Sequence, residues 1–264
     1  MKKFLLALTA AAAFSGSAFA ADLPARSYSK APAPIAVPSW TGFYIFGGGG
    51  GALWSANDYA QATGTKAPLS ISQTQGGDGW FGTVGAGYDW QVTPSWVLGI
   101  LADGQFGSVK GSIQDPTAAV TLTGREKMQD AWAAGVRVGY LVAPNVLSYV
   151  NGGYSGAHWA GTTLLSSASG LPSGTHTNSF NQNGWFIGGG VENNLNIFGI
   201  SAPGWFMKTE YRSAFYSKKS INELVDGTNA LVGRDIAFKP WVQTISTSLV
   251  YRFNWGGAPI AARY

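Results

Sequence analysis

The sequence predicts an all-β fold, an eight-stranded antiparallel transmembrane β-barrel with short periplasmic turns and long extracellular loops. Three observations lead to this prediction: an N-terminal export signal, strands in which apolar residues alternate with a period of two, and tryptophans at the strand ends. Only 11% of the 264 residues are charged, against about 25% in an average soluble domain. Such a composition is typical of a chain that presents much of its surface to lipid.

The composition also excludes several classes of function. The chain has no cysteine, which rules out disulfides, iron–sulfur clusters and thiolate metal sites. Without Lys2 and Lys3, which belong to the export signal, 15 cationic side chains face 13 acidic ones. This small excess does not indicate a nucleic-acid partner.

Residues 1–20 are predicted to be a cleaved signal peptide. Lys2 and Lys3 precede an apolar stretch, and Ala18 and Ala20 place small residues where a signal peptidase reads them. Residues 21–39 are rich in proline, which predicts an extended arm. No later segment has 18 consecutive apolar residues, so a closed barrel is the remaining way to span a bilayer.

Alternation of apolar and polar residues defines the strands. In residues 80–91, for example, Trp80, Val84 and Tyr88 share one face, while Thr83 and Asp89 share the other. In a membrane barrel the apolar face turns outward to lipid. For the first and fifth strands both faces are apolar or glycine-rich, and their orientation stays open. The predicted strands are residues 40–54, 80–91, 96–108, 132–140, 146–159, 185–193, 205–213 and 245–255.

The connections alternate in length. Three are short (92–95, 141–145 and 194–204), and four are long and rich in Gly, Ser, Thr and Asn (55–79, 109–129, 160–184 and 214–240). Outer-membrane barrels have short periplasmic turns and long extracellular loops. Both ends of the barrel, residues 40–255, are therefore predicted to lie in the periplasm, with the arm 21–39 before it and an extension 256–264 after it.

All eleven tryptophans are predicted to lie in two membrane-interface belts. From Trp80 to Trp90 a strand tilted by about 40° rises about 26 Å along the membrane normal, close to the height of the apolar band between aromatic girdles. The belt beside the short turns comprises Trp40, Trp90, Trp96, Trp205 and Trp255, and the belt beside the long loops comprises Trp54, Trp80, Trp132, Trp159, Trp185 and Trp241.

A set of charged residues falls on the polar, inward faces of the predicted strands. An eight-stranded barrel is just wide enough for side chains to fill it, so we expect these charges to pair in a packed interior. The alternative is a narrow water or ion path gated by such a pair. The expected interior network consists of Asp103, Arg137, Glu192, Lys208, Glu210, Arg212 and Arg252.

Few other residues suggest chemistry. Ser155 lies three positions before His158, a spacing that is common by chance, and His158 and His176 without cysteine make a poor metal site. We therefore predict no catalytic, cofactor or metal site. The four cations Lys218, Lys219, Arg234 and Lys239 of the fourth long loop are expected either to be solvated or to contact lipopolysaccharide phosphates.

Several short motifs resemble a known family. They are Ala21-Asp22-Leu23-Pro24, Trp40-Thr41-Gly42-Phe43-Tyr44-Ile45, Gly189-Gly190-Val191-Glu192, Lys208-Thr209-Glu210-Tyr211 and Tyr251-Arg252-Phe253. The set is similar to the small outer-membrane β-barrel proteins of alphaproteobacteria, surface antigens often called porin family and related to OmpA-like and opacity-protein barrels. The chain departs from many outer-membrane proteins at its end, where residues 256–264 continue beyond the last strand.

The resemblance implies an outer-membrane location, and as partners the outer-membrane lipid, lipopolysaccharide and the outer-membrane assembly machinery. We accordingly predict a non-enzymatic integral protein with a structural or surface role in the cell envelope. Two alternatives stay open: a small porin-like diffusion channel, and a surface protein for ligand binding or adhesion, since some relatives bind haem or host surfaces.

Overall fold

A computed structural model describes residues 39–117, 121–253 and 255. The predicted signal peptide, nearly all of the arm and the C-terminal extension lie outside the described residues. Among those described, no helix has the length and apolar character needed to cross a membrane. The strands are β1 (Gly42–Ala62), β2 (Gln73–Gln91), β3 (Trp96–Asp115), β4 (Leu122–Ala143), β5 (Val146–Trp159), β6 (Thr163–Ser166), β7 (Pro172–Thr177), β8 (Phe180–Asn194), β9 (Trp205–Tyr216), β10 (Lys219–Val225) and β11 (Leu231–Arg252), with a 3-10 helix at Leu195–Phe198.

Eight of these strands form a closed antiparallel ring. The order is β1-β2-β3-β4-β5-β8-β9-β11, and β11 pairs back onto β1 from Tyr44↔Arg252 to Ala62↔Arg234. Closure gives every strand two neighbours, so the ring has no free edge. This ring confirms the predicted eight-stranded barrel, and each of its strands contains most of one predicted strand.

A second eight-stranded ring stands on the first. Where β5, β8 and β9 end, β6, β7 and β10 replace them: β4 pairs with β6, β6 with β7, β7 with β10, and β10 with β11. Strands β1, β2, β3, β4 and β11 run through both rings. We call this second ring and its connections, residues 55–79, 109–129, 160–184 and 214–240, the crown.

The prediction that these four segments are loops is wrong for much of their length. Strand β1 continues to Ala62, and Ala56, Asp58 and Ala60 keep pointing inward with exposures of 1% or less. The composition was misleading because small and polar residues are typical of turns, yet here their backbone groups continue the ladder to neighbouring strands. Ladder pairing satisfies the same backbone groups that water would satisfy in a loop.

The inside of the barrel is filled by side chains. Near the short turns lies an apolar cluster of Trp40, Tyr44, Phe46, Val97, Leu147, Tyr149, Phe206 and Val250. A second cluster at the base of the crown includes Trp54, Trp159 and Phe238. Tyr44 and Tyr149 thus orient β1 and β5, the two strands whose facing the sequence left open.

The glycine run of β1 allows this strand to approach β11 closely. A Cβ atom on Gly48 would lie 2.1 Å from the carbonyl oxygen of Thr247, and one on Gly50 would lie 2.1 Å from that of Ile245. These inward glycines therefore have no room for a side chain. Their role is structural.

Candidate functional site: the barrel interior and the crown

Seven of the eleven tryptophans lie on the outer surface. Trp80 is 80% exposed and lies at the crown side, together with Trp132, Trp185 and Trp241, while Trp90, Trp96 and Trp205 lie beside the short turns. Other outward aromatic residues extend both groups: Trp185 and Trp241 each stack on Phe215, and Trp96 packs against Tyr140. These outward residues occupy the positions of two aromatic girdles.

Four tryptophans do not belong to a lipid-facing belt, contrary to the prediction. Trp40, Trp54 and Trp159 are buried inside, with exposures of 1%, 3% and 0%, and Trp255 packs against Trp40 with ring centroids 5.3 Å apart. The position of a tryptophan along its strand determines its height in the membrane. Because successive side chains point to opposite faces, its place in this alternation (its parity) determines whether it faces the lumen or the lipid. For β1 and β5 the parity was not readable from the sequence.

Two arginines and two carboxylates form a closed ring of ion pairs near the short turns. Arg137 donates from Nε to Asp89 at 2.8 Å and from a terminal nitrogen to Glu192 at 3.1 Å. Arg252 donates to the same two carboxylates, at 2.8 Å to Asp89 and 2.7 Å to Glu192. All four residues are at most 3% exposed. Each charge therefore has two opposite charges as neighbours.

A second charge cluster lies nearer the crown. Arg212 donates two hydrogen bonds to Asp103, at 3.0 and 2.7 Å, and one to Glu210 at 2.8 Å. The ammonium of Lys208 lies 3.7 Å from Glu210, which also accepts a 2.8 Å hydrogen bond from the Tyr149 hydroxyl. The structure thus brings together all seven residues of the expected interior network, in two groups.

Asp89 completes the charge balance and was missing from the predicted network. With it, the interior holds four acids (Asp89, Asp103, Glu192, Glu210) and four cations (Arg137, Lys208, Arg212, Arg252). Its position on the polar face of β2 was the signal that could have identified it. Gly99 makes space for it, because a Cβ there would lie 2.1 Å from an Asp89 carboxylate oxygen.

Aromatic rings cover these charges. The guanidinium of Arg137 lies 4.4 Å from the Tyr44 ring centroid, that of Arg252 lies 4.3 Å from Trp40, and the ammonium of Lys208 lies 3.3 Å from Phe46. A void beside Arg212 has a volume of about 10 Å³, which is enough for about one water molecule. The described interior is therefore a packed mixture of ion pairs and aromatic rings.

The inside of the crown carries a different set of charges. Five carboxyl groups (Asp58, Asp115, Glu126, Glu223, Asp235) are at most 1% exposed. Two cations contact them within the described chain: Arg234 lies 2.6 Å from Asp115 and 3.1 Å from Glu223, and Lys66 pairs with Asp235. The acids therefore outnumber the cations that pair with them.

Burial shifts the titration of three of these acids. Burial raises the pKa of Glu126 to about 8 and that of Asp58 to about 6. Burial and the neighbouring Asp115 carboxyl together raise the pKa of Glu223 to about 8, although Arg234 opposes the shift. Near neutral pH Glu126 and Glu223 favour the protonated form, whereas Asp58 gains its proton near pH 6. Protonation of the two glutamates reduces the excess of negative charge inside the crown.

The four cations of the predicted fourth loop do not form one cluster. Arg234 is engaged with Asp115 and Glu223 inside the crown, and Lys218 donates a 3.1 Å hydrogen bond to the Tyr59 hydroxyl. Lys219 and Lys239 are exposed. Arg234 is therefore not available to a phosphate at the surface.

A polar groove opens where β8 and β9 give way to β10. Its volume is about 640 Å³, within the range of ligand sites. Four asparagines, two serines and one lysine line it, above an apolar side formed by Phe180, Ile221 and Leu224; the polar residues are Asn178, Ser179, Asn181, Lys219, Ser220, Asn222 and Asn229.

The serine and histidines considered from the sequence are not brought together. Ser155 points into the barrel and hydrogen-bonds the carbonyl of Trp132 and the hydroxyl of Tyr216. His158 hydrogen-bonds Asn181 at 2.7 Å, and His176 pairs with Asp226. No group of three or more potential metal ligands occurs among the described residues.

Together, the closed ring, the outward aromatic residues and the filled interior define the class: an integral membrane β-barrel protein. No family model matches the chain. Its sequence is 33% identical over 270 residues to the 31 kDa outer-membrane immunogenic protein of Brucella melitensis, across 96% of this chain and 100% of the relative. The same protein of Brucella suis gives the same values.

The chain therefore belongs to the family of the 31 kDa outer-membrane immunogenic protein, which confirms the predicted outer-membrane location and surface-antigen family. Among solved structures, OprG of Pseudomonas aeruginosa matches with 12% identity and a TM-score of 0.48, over 80% of this chain and 97% of that one. The protease OmpT of Escherichia coli matches with 11% identity and a TM-score of 0.43, over 83% and 99%.

Proposed function

We propose that this protein is a non-conducting structural anchor that holds the crown at the cell surface. The observation that supports this proposal is the balanced interior, in which four acids pair with four cations beneath aromatic rings. Ion pairs packed among aromatic rings are typical of a filled eight-stranded barrel, whereas a channel needs an open lumen. The lipid bilayer and its lipopolysaccharide surround this anchor, and we propose that the outer-membrane assembly machinery inserts it.

Planar-bilayer recordings on the refolded protein test this proposal. We expect no steady single-channel steps from the wild type, and a lowered urea midpoint for Arg137→Ala because Asp89 and Glu192 lose a shared partner. Exposed Lys239→Ala is the matched control and should leave the midpoint unchanged. Reproducible wild-type steps, with an Arg137→Ala variant as stable as the wild type, would instead establish a hydrated channel.

A second candidate function is the binding of a hydroxyl-rich saccharide in the polar groove. Amide side chains present both donors and acceptors, as sugar hydroxyls do, and no carboxylate lines the groove. The half-buried Phe180 adds an aromatic surface, held in place by Trp159 and Phe238.

A glycan array probed with labelled wild-type protein tests this candidate. The double variant Asn178→Ala with Asn222→Ala should lose the signal, while Gln129→Ala, an exposed amide outside the groove, should keep it. An array without a saturable signal, or a signal that the double variant retains, would rule out the groove as a saccharide site.

A further inference from the structure

Three cations project outward from the hairpin of β3 and β4 at the base of the crown. Lys110 and Lys127 are directly opposed across the two strands, and Arg125 follows opposite Ser112. The residues that alternate with them are buried: Val109 on β3, Glu126 and Met128 on β4 are at most 4% exposed. Alternation therefore sends all three cationic side chains to the outer surface.

The protein does not neutralise this patch. Like charges directly opposite each other on a sheet destabilise it, and Lys110 with Lys127 is such a pair. Two carboxylates lie near them on this face: exposed Asp78, the partner of Lys110 on β2, and Asp130, which pairs with outward Phe106. Glu126 points inward. Within the described chain none of the three cations forms an ion pair. A net positive charge is left on the outer wall.

The height of the patch matches the headgroup layer. Trp80 of the crown-side aromatic group pairs with Ser108, and Lys110 lies two residues farther from the membrane centre. Two residues of a strand tilted by about 40° rise about 5 Å. Because aromatic girdles mark the membrane interface, the lysine side chains reach the level where lipid phosphates lie.

We propose that Lys110, Arg125 and Lys127 form a binding surface for the phosphate groups of lipid A, the membrane-embedded part of lipopolysaccharide. A phosphate between Lys110 and Lys127 would turn a repulsive pair into two charge-assisted hydrogen bonds, and the guanidinium of Arg125 can bind a second phosphate oxygen pair. The surface faces sideways into the outer leaflet, so its ligand is a lipid of the same membrane. This inference does not depend on whether the barrel conducts.

Native mass spectrometry of the full refolded protein titrated with bisphosphorylated lipid A tests the proposal. The triple variant Lys110→Gln, Arg125→Gln and Lys127→Gln should bind at least about tenfold more weakly than the wild type, since charge-assisted bonds are lost. The matched control Lys66→Gln, Lys218→Gln and Lys239→Gln removes three cations elsewhere in the crown, none of which lines the polar groove, and should bind lipid A as the wild type does. Heat-modifiable gel mobility verifies that each variant is folded.

Two further ligands identify the source of the phosphate. Dephosphorylated lipid A should bind the wild type and the triple variant equally weakly. Phosphatidylglycerol should compete poorly with lipid A for the wild type. Equal lipid A binding by the triple and control variants would overturn the proposal, as would wild-type binding that survives dephosphorylation. Equally tight binding of phosphatidylglycerol would overturn the assignment to lipid A.

Discussion

The membrane ring, formed by β1, β2, β3, β4, β5, β8, β9 and β11, and the crown share five strands but differ in how they neutralise buried charge. Inside the membrane ring, four acids and four cations form two hydrogen-bonded groups. Inside the crown, three of the five buried carboxyl groups contact the two cations Arg234 and Lys66, and Asp58 and Glu126 contact no cation within the described chain. The membrane ring pairs each of its acids with a cation, whereas the crown also relies on protons bound to Glu126 and Glu223.

The surroundings explain this difference. The membrane ring is enclosed by lipid, where an unpaired charge finds neither water nor another ion, so each charge needs a fixed partner. The crown stands in water, and its acids can bind or release a proton as the pH changes. We therefore expect the stability of the membrane ring to depend on each charged partner, and the stability of the crown to depend on pH.

The largest effect is expected from Arg137→Ala. It leaves Asp89 and Glu192, both 0% exposed, with Arg252 as their remaining cationic contact, at a cost of about 3–5 kcal/mol. Urea unfolding of the detergent-refolded protein measures it. A cost below about 1 kcal/mol, the range of exposed ion pairs, would mean that water reaches the site.

Val136→Arg tests the lipid-facing side of the membrane ring. Val136 is 59% exposed on the outer face, midway between Trp132 and Tyr140, so a charge there should cost about 2–4 kcal/mol in a bilayer. Leu69→Arg, at a 50% exposed crown position, is the control and should cost little. Equal unfolding free energies for the two variants in lipid vesicles would contradict the assigned membrane boundary.

The crown should be more stable at acidic than at alkaline pH. Burial raises the folded pKa of Glu126 from 4.5 to about 8, so its contribution is complete below the unfolded pKa and is lost as the pH rises to the folded one. Hydrogen exchange, corrected for intrinsic rates, should show crown protection falling at least about tenfold between pH 5 and 9.

The variant Glu126→Gln should reduce this fall, because an amide has no proton to lose. Asp78→Asn, at an exposed carboxylate on the outer face, should leave it unchanged. If crown protection is flat across this pH range in the wild type, the buried acids are not protonated in the folded crown.

The smallest effect is expected from Lys66→Gln, the counterpart of the Arg137 variant in the crown. Lys66 pairs with buried Asp235, but its own side chain is 50% exposed, and such pairs contribute about 1 kcal/mol or less. Asp235 keeps the hydrogen bond from the Thr63 hydroxyl at 2.9 Å. A loss as large as that of Arg137→Ala, measured by urea unfolding, would remove the distinction between the two rings.

The sequence by itself determined the class of fold and the membrane-facing surface of most strands. Alternation with a period of two can be recognised within a single strand. Arg137, Glu192 and Arg212 could therefore be assigned to the interior before their partners were known. The spacing from Trp80 to Trp90 likewise depends on strand rise alone.

Only the tertiary structure decided the rest, because it depends on pairing between distant segments. The inward position of Trp54 and Trp159 follows from the registers of β1 and β5, and the crown follows from β6, β7 and β10 replacing β5, β8 and β9 as neighbours. Asp89 joins Arg137 across 48 residues of chain. A sequence pattern records which face a side chain occupies, but the partner on that face is set by strand order and register.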